Sequence, residues 1–114
     1  MEPIITYESI RTVHRAEKDE QLARLPESFF RGVQQWLSHK KSRGDTSSML
    51  EAESAKKLLE DIINRRLRKV LFAALGSARG SAPPANMTKE EAIFFDKLLA
   101  DLKAQQGEMK ERLF

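Results

Sequence analysis

The longest predicted helix of this chain lies in residues 46–75, TSSMLEAESAKKLLEDIINRRLRKVLFAAL. Its apolar residues recur at steps of three and four, which is typical of an amphipathic helix with one face to bury. They are Ala55, Leu58, Leu59, Ile62, Ile63, Leu67, Val70, Leu71, Ala74 and Leu75. A helix of roughly 30 residues is ~45 Å long at ~1.5 Å per residue, whereas a compact domain of this length is only about 35 Å across. We therefore expect the helix to project beyond its own bundle or to lie against another subunit.

Composition limits the class of protein. The 114 residues suffice for one domain, and 40% apolar with 32% charged residues predicts a soluble globular chain. No apolar stretch approaches the ~20 residues that span a bilayer, and the chain does not open with a basic region followed by an apolar block. We therefore expect no membrane partner and no secretory leader. The absence of cysteine removes disulfides, thiol catalysis and thiolate metal sites. The net charge of +3 is spread evenly, which is not a dedicated nucleic-acid footprint.

Helix caps and breakers predict an all-α, four-helix bundle-like domain with one long central helix. Thr6 is the predicted N-cap of the first helix, and Pro26 is the expected start of a second helix that runs to about Lys41. Gly76 is the expected C-terminal cap of the long helix. Thr88 and Glu91 form a capping box for the fourth, which ends at Gly107 or continues beyond it. Three helices are expected to bury the following residues. They are Tyr7, Ile10, Val13 and Leu22 on the first, Phe29, Phe30, Val33, Trp36 and Leu37 on the second, and Ile93, Phe94, Leu98, Leu99 and Leu102 on the fourth.

The usual motifs of catalysis are missing. His14 and His39 lie on different predicted helices without a neighbouring motif, so an ordinary surface or half-buried role is expected for both. Glu91 and Glu90 are explained by helix capping and by the helix dipole. No phosphate-binding glycine loop, zinc-protease motif or serine elbow occurs. We therefore expect no enzyme, no catalytic residue, no metal and no cofactor.

The basic cluster at residues 65–69 has two readings. Arg65, Arg68 and Lys69 can contact DNA phosphates or an acidic partner, or they can simply form a solvated helix face. Arg66 differs because apolar residues lie one turn before it and one turn after it. Its long side chain can snorkel, or its planar guanidinium can pair with a carboxylate across a helix interface. We expect Arg66 to be much less exposed than Arg65 or Arg68, with Glu90 or Glu91 or another subunit supplying the acceptor.

Three segments, in order, resemble subunits of the GINS replication complex. Residues 25–30 (LPESFF) are like the leucine–proline opening of that family's second helix. Residues 58–70 (LLEDIINRRLRKV) are similar to the long helix of that family, whose centre has the pattern Arg-Leu-x-Lys-Ile. Residues 87–95 (MTKEEAIFF) are like the start of that family's next helix, where Leu or Met precedes Ser/Thr-x-Glu-Glu and an aromatic residue. The resemblance implies a helical A domain over residues 1–110, of the type that precedes a β-rich B domain, with residues 111–114 as the possible start of a linker. By this expectation the chain is either an excised A domain or a natural short form.

The resemblance implies a non-catalytic scaffold in DNA replication. Its expected partners are other GINS-type subunits in a homo- or hetero-tetramer, the MCM helicase and the Cdc45/RecJ-like protein, with DNA contact weak or indirect. The expected location is cytoplasmic and nucleoid-associated in an archaeon, or nuclear in a eukaryote. We expect most of the partner-binding residues to be the buried apolar residues of the long helix. The expected set is Leu59, Ile62, Ile63, Arg66, Leu67 and Val70.

Two alternatives compete with the scaffold. The first is a stand-alone helical nucleic-acid-binding module that uses the basic cluster at residues 65–69. The second is an enzyme that uses His14 or His39. The even charge and the lack of aromatic residues within the basic cluster favour the scaffold.

Overall fold

A computed structural model describes residues 4–114 of the chain. Residues 1–3, which belong to the segment where no secretory leader is expected, lie outside the described part. Four α-helices follow in order: α1 (Tyr7–Ala16), α2 (Phe29–Arg43), α3 (Thr46–Ala78) and α4 (Lys89–Leu113). No strand occurs among the described residues. The predicted all-α fold with one long central helix is therefore confirmed.

Local chemistry explains most of the helix boundaries. The Thr6 hydroxyl accepts a hydrogen bond from the Ser9 backbone, and the Thr88 hydroxyl accepts one from the Glu91 backbone, so both α1 and α4 begin at a capping box. The Asp45 carboxylate accepts from the Ser48 backbone at the start of α3. Gly44, with φ of 70°, ends α2 in the left-handed conformation that suits glycine.

Two predicted boundaries are wrong. Helix α2 begins at Phe29 rather than Pro26, because Ser28 takes a left-handed conformation with φ of 56°. Gly76 lies inside α3, and Gly80 is the cap glycine instead. The Ser81 N–H donates to the Gly76 carbonyl and the Gly80 N–H to the Ser77 carbonyl, the two bonds of a Schellman motif.

Helix α4 continues through Gly107 to Leu113. Gly107 therefore does not end the helix. Residues 111–113, expected at the start of a linker, form the last turn of α4.

Helix α3 is the spine of the molecule, and each other helix packs against it. Its N-terminal half packs with α1 and α2 around a first core that includes Ile10, Val33 and Ile62. Its C-terminal half packs with α4 around a second core that includes Val70, Ala74 and Phe95. The two cores lie end to end along α3. The chain is therefore elongated, with extents of 64 × 24 × 23 Å and a radius of gyration of 18.0 Å, against ~13 Å for a compact domain of this length.

Three residues expected in the core are exposed instead. Phe30, Ile93 and Phe94 are exposed, and Phe95, which was not predicted, is the buried aromatic residue of α4. Half-buried residues that pack against the two cores, as expected, are Trp36, Leu37, Leu98, Leu99 and Leu102. Leu22 is buried, but it lies after α1 in the connector, where it joins the second core. The buried face of α2 is therefore the predicted one apart from Phe30, whereas the buried face of α4 is shifted toward Phe95.

Candidate interaction surfaces and the Arg66 site

Arg66 lies where the two cores meet, and its side chain is only 1% exposed. Its Nε and Nη2 donate to the two carboxylate oxygens of Glu91 at 2.8 and 2.7 Å. Its Nη1 donates to the Glu17 carboxylate at 2.9 Å and to the Ala23 carbonyl at 2.8 Å. Its Nη2 also donates to the Asn86 carbonyl at 3.0 Å. A guanidinium has five N–H donors, so every donor of Arg66 has an acceptor inside the chain.

Lys69 is the fourth charged member of a polar cluster that also contains Arg66, Glu17 and Glu91. Its Nζ donates to the Glu17 carboxylate and to the Glu17 carbonyl, both at 2.7 Å, and to the Gln21 carbonyl at 3.0 Å. The Glu17 side chain is fully buried and also accepts from the Ala23 backbone at 3.3 Å. Two cations therefore face two carboxylates, which satisfies the requirement that buried charges be paired and hydrogen-bonded.

The surroundings of Arg66 and Glu91 favour the charged form of this pair. Burial by itself would raise the pKa of the Glu91 carboxyl, but the hydrogen bonds from Arg66 and the Thr88 backbone outweigh burial and lower that pKa below its ordinary value. Burial would also lower the pKa of Arg66, yet its bonds to Glu91 and Glu17 raise it. Both partners therefore remain ionised at neutral pH.

The polar cluster joins parts of the chain that are distant in sequence. Arg66 connects α3 to the end of α1, to both long connectors and to the first turn of α4. A second tie runs from the Asn86 side-chain amide to the Leu22 carbonyl at 3.2 Å. Beside it lies a cleft of about 560 Å³ between residues 24–31 and 86–90. Because Arg66 has no free donor, the cluster positions these segments and offers no cation to a ligand.

The detailed prediction for Arg66 is confirmed, and its assignment to a partner surface is wrong. It is far less exposed than Arg65 or Arg68, and Glu91 is the acceptor. Leu59, Ile62 and Val70 are likewise buried, at 6%, 0% and 0% exposure, within the chain's own cores. A partner cannot reach these four residues without opening the fold.

The other two predicted partner residues, Ile63 and Leu67, lie on the surface, against the expectation that they would be buried. Ile63, Leu67, Leu71 and Leu75 follow one another at four-residue steps along α3, and each is between 38% and 44% exposed. Phe72 is 62% exposed. Leu67, Leu71 and Phe72 line a shallow groove of about 370 Å³ together with Arg68 and with Phe94 of α4. These residues (Ile63, Leu67, Leu71, Phe72, Leu75 and Phe94) form the apolar face of the molecule.

The apolar face is large enough to matter for assembly. Six large side chains exposed by about 40–60% leave roughly 500 Å² of surface, if each has a total of about 200 Å². A standard interface buries about 800 Å² per partner, and the apolar part of a homodimer interface is about 65% of that area. Contiguous exposed apolar patches of this size are often functional.

The basic cluster is only partly available to an external partner. Arg65 donates to the Asp61 carboxylate at 2.8 Å, and Lys69 belongs to the polar cluster beneath it. Arg68 is exposed, makes no ion pair with the described residues and lines the groove of the apolar face. The structure therefore separates three cations that the sequence grouped as one possible DNA contact.

The two histidines lie apart from each other. His14 Nε2 is 2.7 Å from the Asp61 carboxylate oxygen that also accepts from Arg65, whereas His39 is exposed. The hydrogen bonds from Arg65 and then from His14 lower the pKa of Asp61. The arrangement ties α1 to α3. Among residues 4–114 no group of three or more histidines and carboxylates is placed to hold a metal ion.

Sequence reasoning missed Glu17 and Asn86 at the Arg66 site, and Phe72 and Phe94 on the apolar face. Glu17 lies in a polar run, and nothing in its neighbours distinguishes it from the solvated Lys18 and Asp19. Phe72 departs from the apolar stripe of α3, which is the one sign that could have marked it as a surface aromatic residue.

No helix of the described chain is both long and apolar enough to cross a bilayer. No family model, no curated protein and no solved structure matches the chain. Its function is therefore inferred from its own residues and geometry.

Proposed function

We propose that this chain is a non-catalytic scaffold that assembles with other helical subunits through the apolar face of α3 and α4. The observation that carries the proposal is the row Ile63, Leu67, Leu71 and Leu75, exposed on α3 beside the buried row Ile62, Arg66, Val70 and Ala74. A row of aliphatic side chains at four-residue steps is the seam that helix–helix interfaces use. The proposed interface therefore takes one or more helices of another subunit.

The resemblance to GINS subunits extends the proposal to DNA replication. By that resemblance the partners are other GINS-type subunits, and the assembly links the MCM replicative helicase with its Cdc45/RecJ-like companion. The arrangement of the three resembling segments supports this reading. Arg66 of the second segment bonds Glu91 of the third, and the first and third segments line the same cleft. Residues of the three segments are thus neighbours in the fold.

The charges around the face also favour a protein partner over DNA. Arg68 is the one cation that lines its groove, while Arg65 and Lys69 are engaged within the chain. Phosphate-backbone binding draws on many cations at once, whereas an apolar groove with a single cation suits a helix that carries an acidic residue.

The experiment is to measure the mass of the 13.0 kDa chain by analytical ultracentrifugation, alone and mixed with a second GINS-type subunit. We expect a discrete oligomer in at least one of the two samples. The double variant Leu67→Glu/Leu71→Glu should prevent assembly while its helical circular dichroism is retained, because both side chains are already partly in water. The matched control is Met49→Glu, at an exposed site near the other end of α3.

Two results would contradict the proposal. One is a wild-type chain that stays monomeric at every concentration, both alone and with the second subunit. The other is a double-glutamate variant that assembles as well as the wild type and the Met49 control.

A further inference from the structure

Helix α4 packs against α3 and extends beyond the C-terminal end of α3. Glu91 lies beside Arg66, and Phe95 packs with Val70 and Ala74, so α4 runs parallel to α3. From these points 12 residues remain in α3, which ends at Ala78, and 22 remain in α4, which ends at Leu113. The surplus corresponds to about 15 Å of helix. The long axis of 64 Å, against ~50 Å for α3 alone, agrees with that projection.

The projecting part, residues 104–113, continues the seam that α4 uses against α3. Phe95, Leu99 and Leu102 pack into the second core. The same alternating spacing of three and four then reaches Gln106, Met109 and Leu113. These positions form one continuous heptad stripe, which is the pattern of a helix that packs along another helix. Met109 is 50% and Leu113 68% exposed, so the stripe continues after its intramolecular partner has ended.

The projection is poorly suited to exist as a free helix. Most helical stability in proteins comes from tertiary packing, which α3 does not supply to these residues, and a glycine inside a helix destabilises it by roughly 0.5–1 kcal/mol. The projection has Gly107 in its middle, and its one internal ion pair joins Arg112 to Glu108 at 2.9 Å. A second helix packed against Met109 and Leu113 would supply the apolar contact that α3 supplies to the first half of α4.

The charges beside the stripe indicate what kind of helix fits. Lys103 directly follows Leu102 of the stripe, and Lys110 directly follows Met109. The two lysines therefore occupy positions that flank the seam and reach across to a partner helix. Neither lysine makes an ion pair with the described residues. In an antiparallel pair of two copies these lysines would face each other, and in a parallel pair they would face Gln105 and Leu98. A second copy therefore offers them no anion, whereas a helix with acidic flanking residues pairs with both.

We infer that residues 104–113 of α4 are a docking site for an amphipathic helix of a partner protein that carries Glu or Asp beside its apolar seam. This site is separate from the apolar face of α3, and the inference does not rest on the proposed scaffold function. A chain with both surfaces joins two different partners at two places along one rod.

The test uses the 114-residue chain with ¹³C-labelled methionine methyl groups and two synthetic peptides of three heptads. Both peptides carry Leu and Ile in the seam, one with Glu and the other with Lys at the flanking positions. Met109 is the reporter, and Met49 and Met87, which lie outside the projection, are internal controls. We expect the Met109 signal alone to move saturably with the Glu peptide. Two exposed ion pairs correspond to roughly threefold to tenfold tighter binding than the Lys peptide gives.

Two variants sharpen the test. Lys103→Glu/Lys110→Glu should reverse the preference between the peptides, and both lysines are exposed, so the fold is not at risk. Leu67→Glu/Leu71→Glu, which removes the apolar face of α3, should bind the Glu peptide unchanged. Failure of the scaffold proposal and failure of this inference are therefore distinguishable.

Three results would overturn the inference. The first is no movement of the Met109 signal with either peptide at millimolar concentration. The second is equal binding of the two peptides, which would remove the role of the lysines. The third is movement of the Met109 signal with the concentration of the chain alone, which would identify a second copy as the occupant.

Discussion

Replacing Arg66 by leucine tests the idea that the polar cluster holds the two halves of the chain together. The change keeps an apolar stem and removes all five hydrogen bonds of the guanidinium. The fully buried Glu17 then keeps only Lys69 as a cation, and Glu91 keeps the Thr88 backbone. Removing one member of a buried ion pair typically costs about 3–5 kcal/mol.

A loss of this size is a large part of the ~5–15 kcal/mol that stabilises a typical domain. At about 4 °C per kcal/mol, we expect the melting temperature to fall by roughly 12–20 °C. The assay is urea unfolding followed by circular dichroism at 222 nm, which gives both the free energy of unfolding and its denaturant dependence. Arg65→Leu is the matched control. That arginine also pairs with a carboxylate, but its side chain is 40% exposed, so the expected loss is below about 1 kcal/mol.

Arg66→Lys separates charge from geometry. A lysine keeps the positive charge but cannot bond Glu91 through two parallel N–H groups, so its stability should lie between that of the wild type and that of Arg66→Leu. The triple replacement Glu17→Leu/Arg66→Leu/Glu91→Leu removes the stranded carboxylates and should recover part of the loss. An Arg66→Leu variant that loses no more stability than Arg65→Leu would show that the polar cluster does not hold the two halves of the chain together.

Four further outcomes follow from the structure. Because folding lowers the pKa of Glu91, the stability from its pairing with Arg66 is complete at a pH above the ordinary pKa of 4.5 and is lost as the pH falls through the lowered pKa. Acid unfolding of the wild type and of Glu91→Gln checks this, and the two stability curves should converge at low pH. Ile62→Ala should destabilise by about 2–5 kcal/mol, whereas its 44% exposed neighbour Ile63→Ala should lose clearly less, as urea midpoints will show. Gly107→Ala, at a site where an added Cβ meets nothing within 4 Å, should stabilise the end of α4 by roughly 1 kcal/mol, read from amide hydrogen exchange. Duplex-DNA binding should be weak with a shallow salt dependence, and an affinity that persists at physiological salt and is lost in Arg68→Glu would restore the nucleic-acid alternative.

The elements of this fold are decided by short-range chemistry, which is why they could be predicted. The caps at Thr6 and Thr88 act over three residues, and the periodicity of residues 46–75 acts over four. Arg66 belongs to the same class, because the apolar residues one turn away on either side make its burial predictable. Its bond to Glu91 was predictable for the further reason that a buried guanidinium needs an anion and α4 opens with two.

The choice between neighbouring apolar residues could not be predicted in this way. Ile62 and Ile63 have the same side chain and both fit a helical stripe, yet the first is buried and the second is 44% exposed. Phe94 and Phe95 divide in the same manner on α4. When the apolar residues of a helix fill two adjacent rows, nothing in the helix itself indicates which row the neighbouring helices will cover. The error in the predicted partner surface arose here, because the most regular apolar positions are those that the chain covers itself.

Four helices, their caps and a central helix too long for a compact bundle follow from the order of the residues, because hydrogen bonds and side-chain spacing within a few residues specify these features. Only the tertiary structure decided that Glu17, 49 residues before Arg66, is its second anion. It also decided that α4 lies parallel to α3, which leaves residues 104–113 beyond its end. Both depend on how two long connectors fold back on α3. The backbone of a connector has no periodicity from which its path can be derived, so contacts between distant residues select that path.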